Sequence, residues 1–160
     1  MNFDQADALN EAIRAVGIRH RALAVAALAP MGIHPGHKLL LLELAAGPRT
    51  QAQLATASGY EPPSITESVR QLERAGLVVR RPSPNDARAT MVELSDQGRS
   101  LLPKLKAAWR HVADQTVAGL RITTVDHVIE VLTDLATGLT STVAPTNDVP
   151  RYRAPRSRTR

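Results

Sequence analysis

Hydrophobic residues recur at helical spacing along most of the chain. Residues 3–29 carry apolar side chains at steps of three or four, which predicts an amphipathic helix ended by Pro30 and Gly32. The segment "HPG" begins a second helix, which Gly47 and Pro48 end. The side chains of that helix predicted to face inward are Leu39, Leu40, Leu42 and Leu44.

Two shorter helices follow in close succession. In "TQAQ", Thr50 and Gln53 match a capping box, which begins a helix that ends at Gly59. Pro62 suits the first position of the next helix, where a missing N–H costs nothing. Gly76 fits the left-handed residue that follows the end of that helix. The buried stripe of the helix is predicted to be Ile65, Val69 and Leu72.

Residues 77–81 and 89–94 are rich in Val, Leu and Thr and predict two short β-strands. The connection "PSPNDAR" between them contains two prolines and an Asn-Asp pair, which is typical of a loop. The two segments therefore predict a hairpin, with Asp86 and Arg88 at its tip.

The C-terminal part of the chain predicts two more helices. Ser95 caps a long one that contains Pro103, and Thr124 caps a last one that extends to about residue 141. The stripe predicted on one side of the long helix is Leu101, Leu105, Ala108, Val112, Thr116 and Leu120. Residues 144–160 are rich in Pro, Arg and Thr with little to bury, and we expect them to be disordered.

A helix, a short turn, a second helix and a hairpin in this order predict a winged helix-turn-helix, a mainly α fold with a small β-hairpin wing. Burying the predicted stripe of the second helix leaves an outward surface near its N-terminal half. An exposed helix of this size fits the DNA major groove, with its first turns closest to the base edges. The residues expected on this surface are Pro63, Ser64, Thr66, Glu67 and Arg70.

Charge and composition narrow the choice of partners. Residues 151–160 hold five of the 20 basic residues, which leaves 15 basic and 15 acidic residues in the rest of the chain. A DNA-binding surface must therefore come from local clusters or from the tail. The scarcity of aromatic residues argues against binding of single strands by base stacking. With no cysteine, the chain has no disulfide or thiolate metal site, and no apolar run approaches the length of a membrane span.

Three fragments in one order carry a resemblance to a known family: "LERAGLVVRR", "PNDAR" and "VELSDQGR". The region from about Ile33 to Leu105 resembles the MarR family of bacterial transcription regulators. The resemblance implies one unit over residues 1–143. Its DNA-binding lobe would span 33–95, and its dimerisation helices 3–29 and 96–141.

The resemblance implies that Arg88 enters the minor groove from the wing, with Asp86 orienting its guanidinium. A narrow minor groove has an enhanced negative potential, which favours an inserted arginine. The alternative is an ordinary surface ion pair that steadies the turn. Arg70 and Arg74 would hold phosphates, or else pair with Glu67 and Glu73 on the helix surface.

The resemblance also implies a homodimer that reads a pseudo-palindromic operator, and a small aromatic or anionic effector bound between the dimer region and the winged lobe. The alternative to the dimer is a monomeric helical bundle. The residues that would bind the effector are Arg19, His20, His37 and Trp109. His34 and His37 resemble a metal pair only superficially, so no metal is predicted.

The sequence therefore predicts a cytoplasmic, dimeric, sequence-specific regulator of transcription that binds double-stranded DNA, with repression as the default outcome. The alternative is a winged-helix module that binds another protein and has no specific DNA affinity. No phosphate-binding loop, dinucleotide turn or nucleophile elbow is found, so neither an enzyme nor a cofactor is predicted. The arginine tail is either a solubilising end or an arm along the DNA backbone.

Overall fold

The computed structural model describes residues 1–82 and 90–142, with the last three described by their backbone alone. Most of the described chain is helical, with a small sheet whose two longer strands lie between the fourth and fifth helices in sequence. The helices are α1 (Phe3–Leu28), α2 (Pro35–Leu44), α3 (Gln51–Ser58), α4 (Pro62–Arg74), α5 (Asp96–Val117) and α6 (Val125–Thr142). The strands are β1 (Arg49–Thr50), β2 (Val78–Pro82) and β3 (Thr90–Leu94), and a 3₁₀ turn (Ala29–Met31) follows α1.

The helix-turn-helix begins and turns as predicted. The Thr50 hydroxyl accepts from the backbone N–H of Gln53 at 3.1 Å, and the Gln53 side chain accepts from the Thr50 N–H at 2.9 Å. Gly59 ends α3 in the left-handed conformation at φ 73°, and Pro62 is the first residue of α4. The capping box and both helix boundaries are therefore confirmed.

The turn after α4 sets the direction in which the chain enters the wing. Gly76 has φ 70°, and its N–H donates to the carbonyl of Glu73 while the N–H of Leu77 donates to that of Leu72. This pair of bonds satisfies carbonyls that the helix end leaves free. The Ser95 hydroxyl donates to the Gly76 carbonyl at 2.6 Å, so the start of α5 is tied to the same turn.

The sheet has three antiparallel strands in the order β1-β3-β2, where the sequence predicted two. Strand β1 pairs Arg49 with Val92 and Thr50 with Met91, and two residues are too few to show a periodic pattern. Because β2 is an edge strand, it tolerates Pro82 at its end. The wing is thereby attached to the segment that leads into the helix-turn-helix.

One continuous apolar core joins the C-terminal end of α1, α2, α3, α4, the sheet and α5. The predicted stripe of α4 is confirmed, since Ile65, Val69 and Leu72 are buried. The other buried members of this core are Leu28, Ile33, Leu40, Leu41, Leu44, Leu54, Leu77, Val78, Val92, Leu94 and Leu105.

Two predicted apolar stripes are wrong in part. In α2 the buried leucines are Leu40, Leu41 and Leu44, whereas Leu39 and Leu42 are only half-buried. A run of four leucines contains no polar residue that would mark the side of the helix facing solvent. The packing of the neighbouring helices therefore decides which leucines are buried.

In α5, Leu105 and Val112 are buried, but Thr116 is exposed and the helix ends at Val117, before Leu120. Leu120 is 39% exposed in the single chain. The end of this helix therefore lacks an apolar surface to pack against. No helix within the described ranges is both long and apolar enough to cross a membrane.

Candidate DNA-binding interface

The outer face of α4 is a polar surface opposite its buried stripe. With 3.6 residues per turn, Pro63, Glu67, Arg70 and Arg74 lie on one side of the helix, and all four are exposed. Ser64, also exposed, lies beside them in the first turn. Four of the five residues predicted from the sequence therefore lie on an accessible face of the second helix.

The fifth, Thr66, is half-buried and turned toward α3. Its hydroxyl contacts the Oε1 of Gln51 at 2.9 Å and the carbonyl of Pro62 at 3.0 Å. The Gln51 contact joins the two helices of the helix-turn-helix. In this arrangement Thr66 positions α4 rather than presenting its hydroxyl outward.

Glu67 lies at the centre of the exposed face and contacts three side chains. Its carboxylate is 3.1 Å from Nη2 of Arg74 and 3.9 Å from Nη1 of Arg70. It also accepts a hydrogen bond from Nε2 of Gln71 at 3.1 Å. The part of the predicted alternative that pairs Arg70 and Arg74 with Glu67 is thus present, but surface pairs of this kind are worth less than about 1 kcal/mol.

The arginines of the wing are paired with glutamates as well. Arg80 lies 2.5 Å from Glu73 of α4, and the hydrogen bond raises the pKa of its guanidinium. Arg81 lies 2.7 Å from Glu93 of β3. These pairs connect β2 to α4 and to β3, and they leave little unpaired positive charge on the described part of the wing.

The start of α4 offers few backbone donors. Pro62 and Pro63 have no N–H, and the N–H of Ser64 already donates to the carbonyl of Glu61 at 3.0 Å. A helix N-terminus binds phosphate through free N–H groups. Within this described first turn those groups are missing, so the start of α4 offers no backbone site for a phosphate.

Asp86 and Arg88 lie outside the described residues. The strands on either side of them are antiparallel neighbours, and Pro82 at the end of β2 faces Thr90 at the start of β3. The register of the described strands therefore agrees with the hairpin that the sequence predicted.

Two of the four residues predicted to bind an effector are in contact with each other. The rings of His20 on α1 and Trp109 on α5 meet edge to face, with their centroids 6.1 Å apart. The ammonium of Lys38 on α2 lies 3.9 Å from the centre of the Trp109 ring, and burial lowers the pKa of this lysine. Lys38 was not among the residues predicted from the sequence. Its position next to a run of leucines could have indicated a partly buried cation.

The other two predicted residues lie elsewhere. Arg19 is exposed on α1. His37 is buried on the side of α2 that faces α4, where its Nε2 lies 3.0 Å from Oε1 of Gln71 and its ring contacts that of His34 at a tilt of 34°. Burial and the neighbouring His34 lower the pKa of His37 to about 4. The described residues contain no cluster of three or more histidine, aspartate or glutamate side chains suited to a metal ion.

A helix-turn-helix with an exposed second helix, joined to a small antiparallel wing, defines the winged helix-turn-helix class of DNA-binding proteins. A family model described as MarR family matches residues 31–89. A probable transcriptional regulator from Pseudomonas aeruginosa is 30% identical over 82% of this chain and 96% of its own, with a TM-score of 0.69. The chain belongs to the MarR family.

Two further solved structures share the fold at lower identity. Sco3205 from Streptomyces coelicolor, a MarR family regulator in complex with DNA, is 20% identical and has a TM-score of 0.76, over 96% of this chain and 99% of its own. BpsR from Bordetella bronchiseptica, whose DNA binding is regulated by 6-hydroxynicotinic acid, is 17% identical and has a TM-score of 0.70. That match covers 80% of this chain and 98% of BpsR.

Family and fold together make this chain a DNA-binding transcriptional regulator. The alternative of a winged-helix module that binds only proteins is not favoured. MarR-family proteins are regulators of transcription rather than enzymes.

Proposed function

We propose that the protein binds a pseudo-palindromic operator as a homodimer, with α4 of each copy in the major groove. The observation that carries this proposal is the exposed polar face of α4, which lies opposite a fully buried stripe. In such a dimer the two copies of α4 would lie about 34 Å apart. They would enter successive turns of the major groove on one side of the duplex.

The residues of α4 would divide the contacts by position. Pro63, Ser64 and Glu67, in the first two turns, would approach base edges, and Arg70 and Arg74 would hold phosphates. Thr66 would act by holding α3 against α4. These assignments follow from exposure and helical position.

The wing would add a second contact. We propose that Arg88 enters the minor groove and that Asp86 orients it, because the segment that contains both residues joins the antiparallel strands β2 and β3. A narrow minor groove attracts an inserted guanidinium electrostatically.

Open apolar surfaces support the homodimer. On α1 the stripe that is buried at Ala24 continues toward the N-terminus as Leu9, Ile13 and Val16, which are 45%, 52% and 56% exposed. Helix α6 exposes a similar stripe: Ile129, Leu132, Leu135 and Leu139. Apolar patches of this extent on a single chain mark an interaction surface. We therefore assign residues 33–95 to the DNA-binding lobe and residues 3–29 and 96–141 to dimerisation.

A small aromatic or anionic effector would bind where α1, α2 and α5 meet. There the rings of His20 and Trp109 meet edge to face, and Lys38 supplies a partly buried cation. Burial lowers the pKa of Lys38, because it disfavours the charged ammonium. An anion bound beside Lys38 would stabilise that charged form. Arg19 and His37 are the neighbours in sequence of His20 and Lys38. An effector that moved α1 or α2 would therefore also change the positions of Arg19 and His37. The control of BpsR by an aromatic acid supports this class of effector.

Repression is the outcome we propose, because a dimer bound at a promoter would exclude polymerase from the same DNA. With chromosomal DNA as the partner, the site of action would be the cytoplasm.

Selection of bound duplexes from a random library tests the proposal. We expect an inverted repeat with half-sites centred about ten base pairs apart. Inserting five base pairs between the half-sites would rotate one of them to the far side of the helix and abolish tight binding. A ten-base-pair insertion is the matched control, since it restores the face. If neither insertion changes the affinity, the proposal that a dimer binds two half-sites on one face of the duplex is wrong.

A further inference from the structure

The carboxylate of Glu67 is held by a chain of hydrogen bonds that begins in the core. Its Oε1 accepts from Nε2 of Gln71 at 3.1 Å, and Oε1 of the same amide lies 3.0 Å from Nε2 of His37. His37 is only 5% exposed, whereas the side chain of Glu67 is 51% exposed. A buried imidazole is thus connected to an acidic group on the outer face of α4.

The chemistry of Glu67 decides the direction of every bond in this chain. A carboxylate only accepts hydrogen bonds, so the Gln71 amide must turn its NH₂ group toward Glu67 and its carbonyl toward His37. His37 must then carry its proton on Nε2, and its Nδ1 is buried without a hydrogen-bond partner among the described residues. One hydrogen of the Gln71 NH₂ group and the Gln71 carbonyl oxygen are therefore both engaged in this chain, so Gln71 orients Glu67.

Only one base offers a carboxylate a suitable edge in the major groove. Guanine presents two acceptors and thymine presents an acceptor beside a methyl group, so both repel or exclude a carboxylate. Adenine pairs its N6 donor with the N7 acceptor, whereas cytosine presents the N4 amino group as a donor alone. A carboxylate oriented toward the groove therefore selects cytosine.

If the protein binds its operator as proposed above, we further propose that Glu67 recognises a cytosine in each half-site, with Gln71 and His37 as its positioning residues. The carboxylate accepts a hydrogen bond from cytosine N4, and the amide and imidazole keep it aimed at the groove.

The neighbouring arginines offset the electrostatic repulsion between the Glu67 carboxylate and the DNA phosphates. Arg70 and Arg74 flank Glu67 at 3.9 Å and 3.1 Å, so the three side chains together carry one net positive charge. Their weak surface pairs leave both guanidiniums able to turn outward to phosphates while the carboxylate turns to the base.

Selection from random duplex DNA with three variants tests this reading. For the natural protein we expect a C·G pair at one position of each half-site. For Glu67→Gln we expect the preference at that position to move from cytosine to adenine by about tenfold, because an amide pairs with adenine N6 and N7. For Gln71→Leu we expect the cytosine preference to weaken by at least about threefold without moving to adenine.

Glu73→Gln is the matched control. It removes the same charge from the same helix, but Glu73 pairs with Arg80 and lies outside the exposed face, so the selected sequence should not change. Circular dichroism melting of each variant checks that α4 is still folded.

The outcomes are distinguishable. If Glu67→Gln tightens binding to every duplex and leaves the selected sequence unchanged, Glu67 merely neutralises its arginines and the base-reading proposal is overturned. If Gln71→Leu leaves the cytosine preference intact, the positioning role is overturned. If the natural protein selects no sequence at all, the proposed function itself fails, and this inference fails with it.

Discussion

Gly98 in the first turn of α5 packs directly on the carbonyl oxygen of Leu77, so closely that an added Cβ would lie 2.0 Å from that oxygen. The same turn receives the Ser95 hydroxyl, which caps α5 and also bonds the Gly76 carbonyl. This contact holds the recognition helix, the wing and the long helix in one arrangement.

Replacing Gly98 with alanine should therefore be destabilising. The clash is with backbone, which cannot rotate away, and overpacking of this kind costs about 1–3 kcal/mol or more. Urea denaturation followed by circular dichroism measures the change. Gly17→Ala in α1 is the control, because a Cβ there meets nothing within 4 Å. A Gly98→Ala protein as stable as the natural one would show that the turn can shift without loss.

Protonation of His37 should make folding stability depend on pH. Burial and the stacked His34 hold its pKa near 4, below the ordinary 6.5, so the unfolded chain takes up a proton at higher pH than the folded chain. The stabilising contribution is fully present above about pH 6.5 and falls toward pH 4, by up to about 1.4 kcal/mol per pH unit.

Thermal melts between pH 4 and 8 of the natural protein and of His37→Leu measure this effect. The variant should show a flatter dependence over that window, whatever its stability at neutral pH. His34→Gln is the control and should keep most of the slope. Parallel curves for the natural protein and His37→Leu would show that His37 is not the group responsible.

A charge in the apolar stripe of α6 should dissociate the proposed dimer. Leu135 is 43% exposed in the single chain, and we expect Leu135→Lys to convert the protein to a monomer at micromolar concentration, because burying an unpaired ammonium is costly. Sedimentation velocity measures the mass. Glu130→Lys, on the opposite side of the same helix, should remain dimeric. A dimeric Leu135→Lys protein would remove α6 from the interface.

Loss of a phosphate contact should lower the salt dependence of operator binding. Arg70→Ala should reduce the slope of log K against log salt by about 0.9, and we expect Arg74→Ala to act in the same way. Fluorescence anisotropy at several salt concentrations measures the slope. Arg14→Ala in α1, which breaks an exposed pair with Glu11, should leave it unchanged. An unchanged slope for Arg70→Ala would mean that this arginine stays with Glu67 on DNA.

Deleting residues 146–160 tests the arginine tail as an arm on the DNA backbone. Five arginines in residues 151–160 give this segment its charge. Each one that neutralises a phosphate adds about 0.9 to the slope, so the shortened protein should bind more weakly and with a flatter salt dependence. Equal affinity and an equal slope would assign the tail no role in binding.

Local patterns were enough to predict most of the helix-turn-helix. The Thr50–Gln53 capping box, the proline at the start of α4 and the glycine after its end act within a few residues, so the sequence shows them directly. The buried stripe of α4 was equally readable, because polar residues on the opposite side phase it. Strand β1 was missed because two residues carry no pattern, and Leu39 and Leu42 of α2 were assigned wrongly because the run of leucines lacks such phasing.

What the sequence by itself determined was the order of the helices and of the two hairpin strands, the family resemblance and the polar face of α4, since all three depend on neighbours along the chain. Only the tertiary structure decided that Gln71 joins buried His37 to Glu67, that Lys38 lies over Trp109 and that Gly98 meets Leu77. Those contacts join residues far apart in sequence. Their geometry depends on how α1, α2, α4 and α5 pack around one core, which no local spacing encodes.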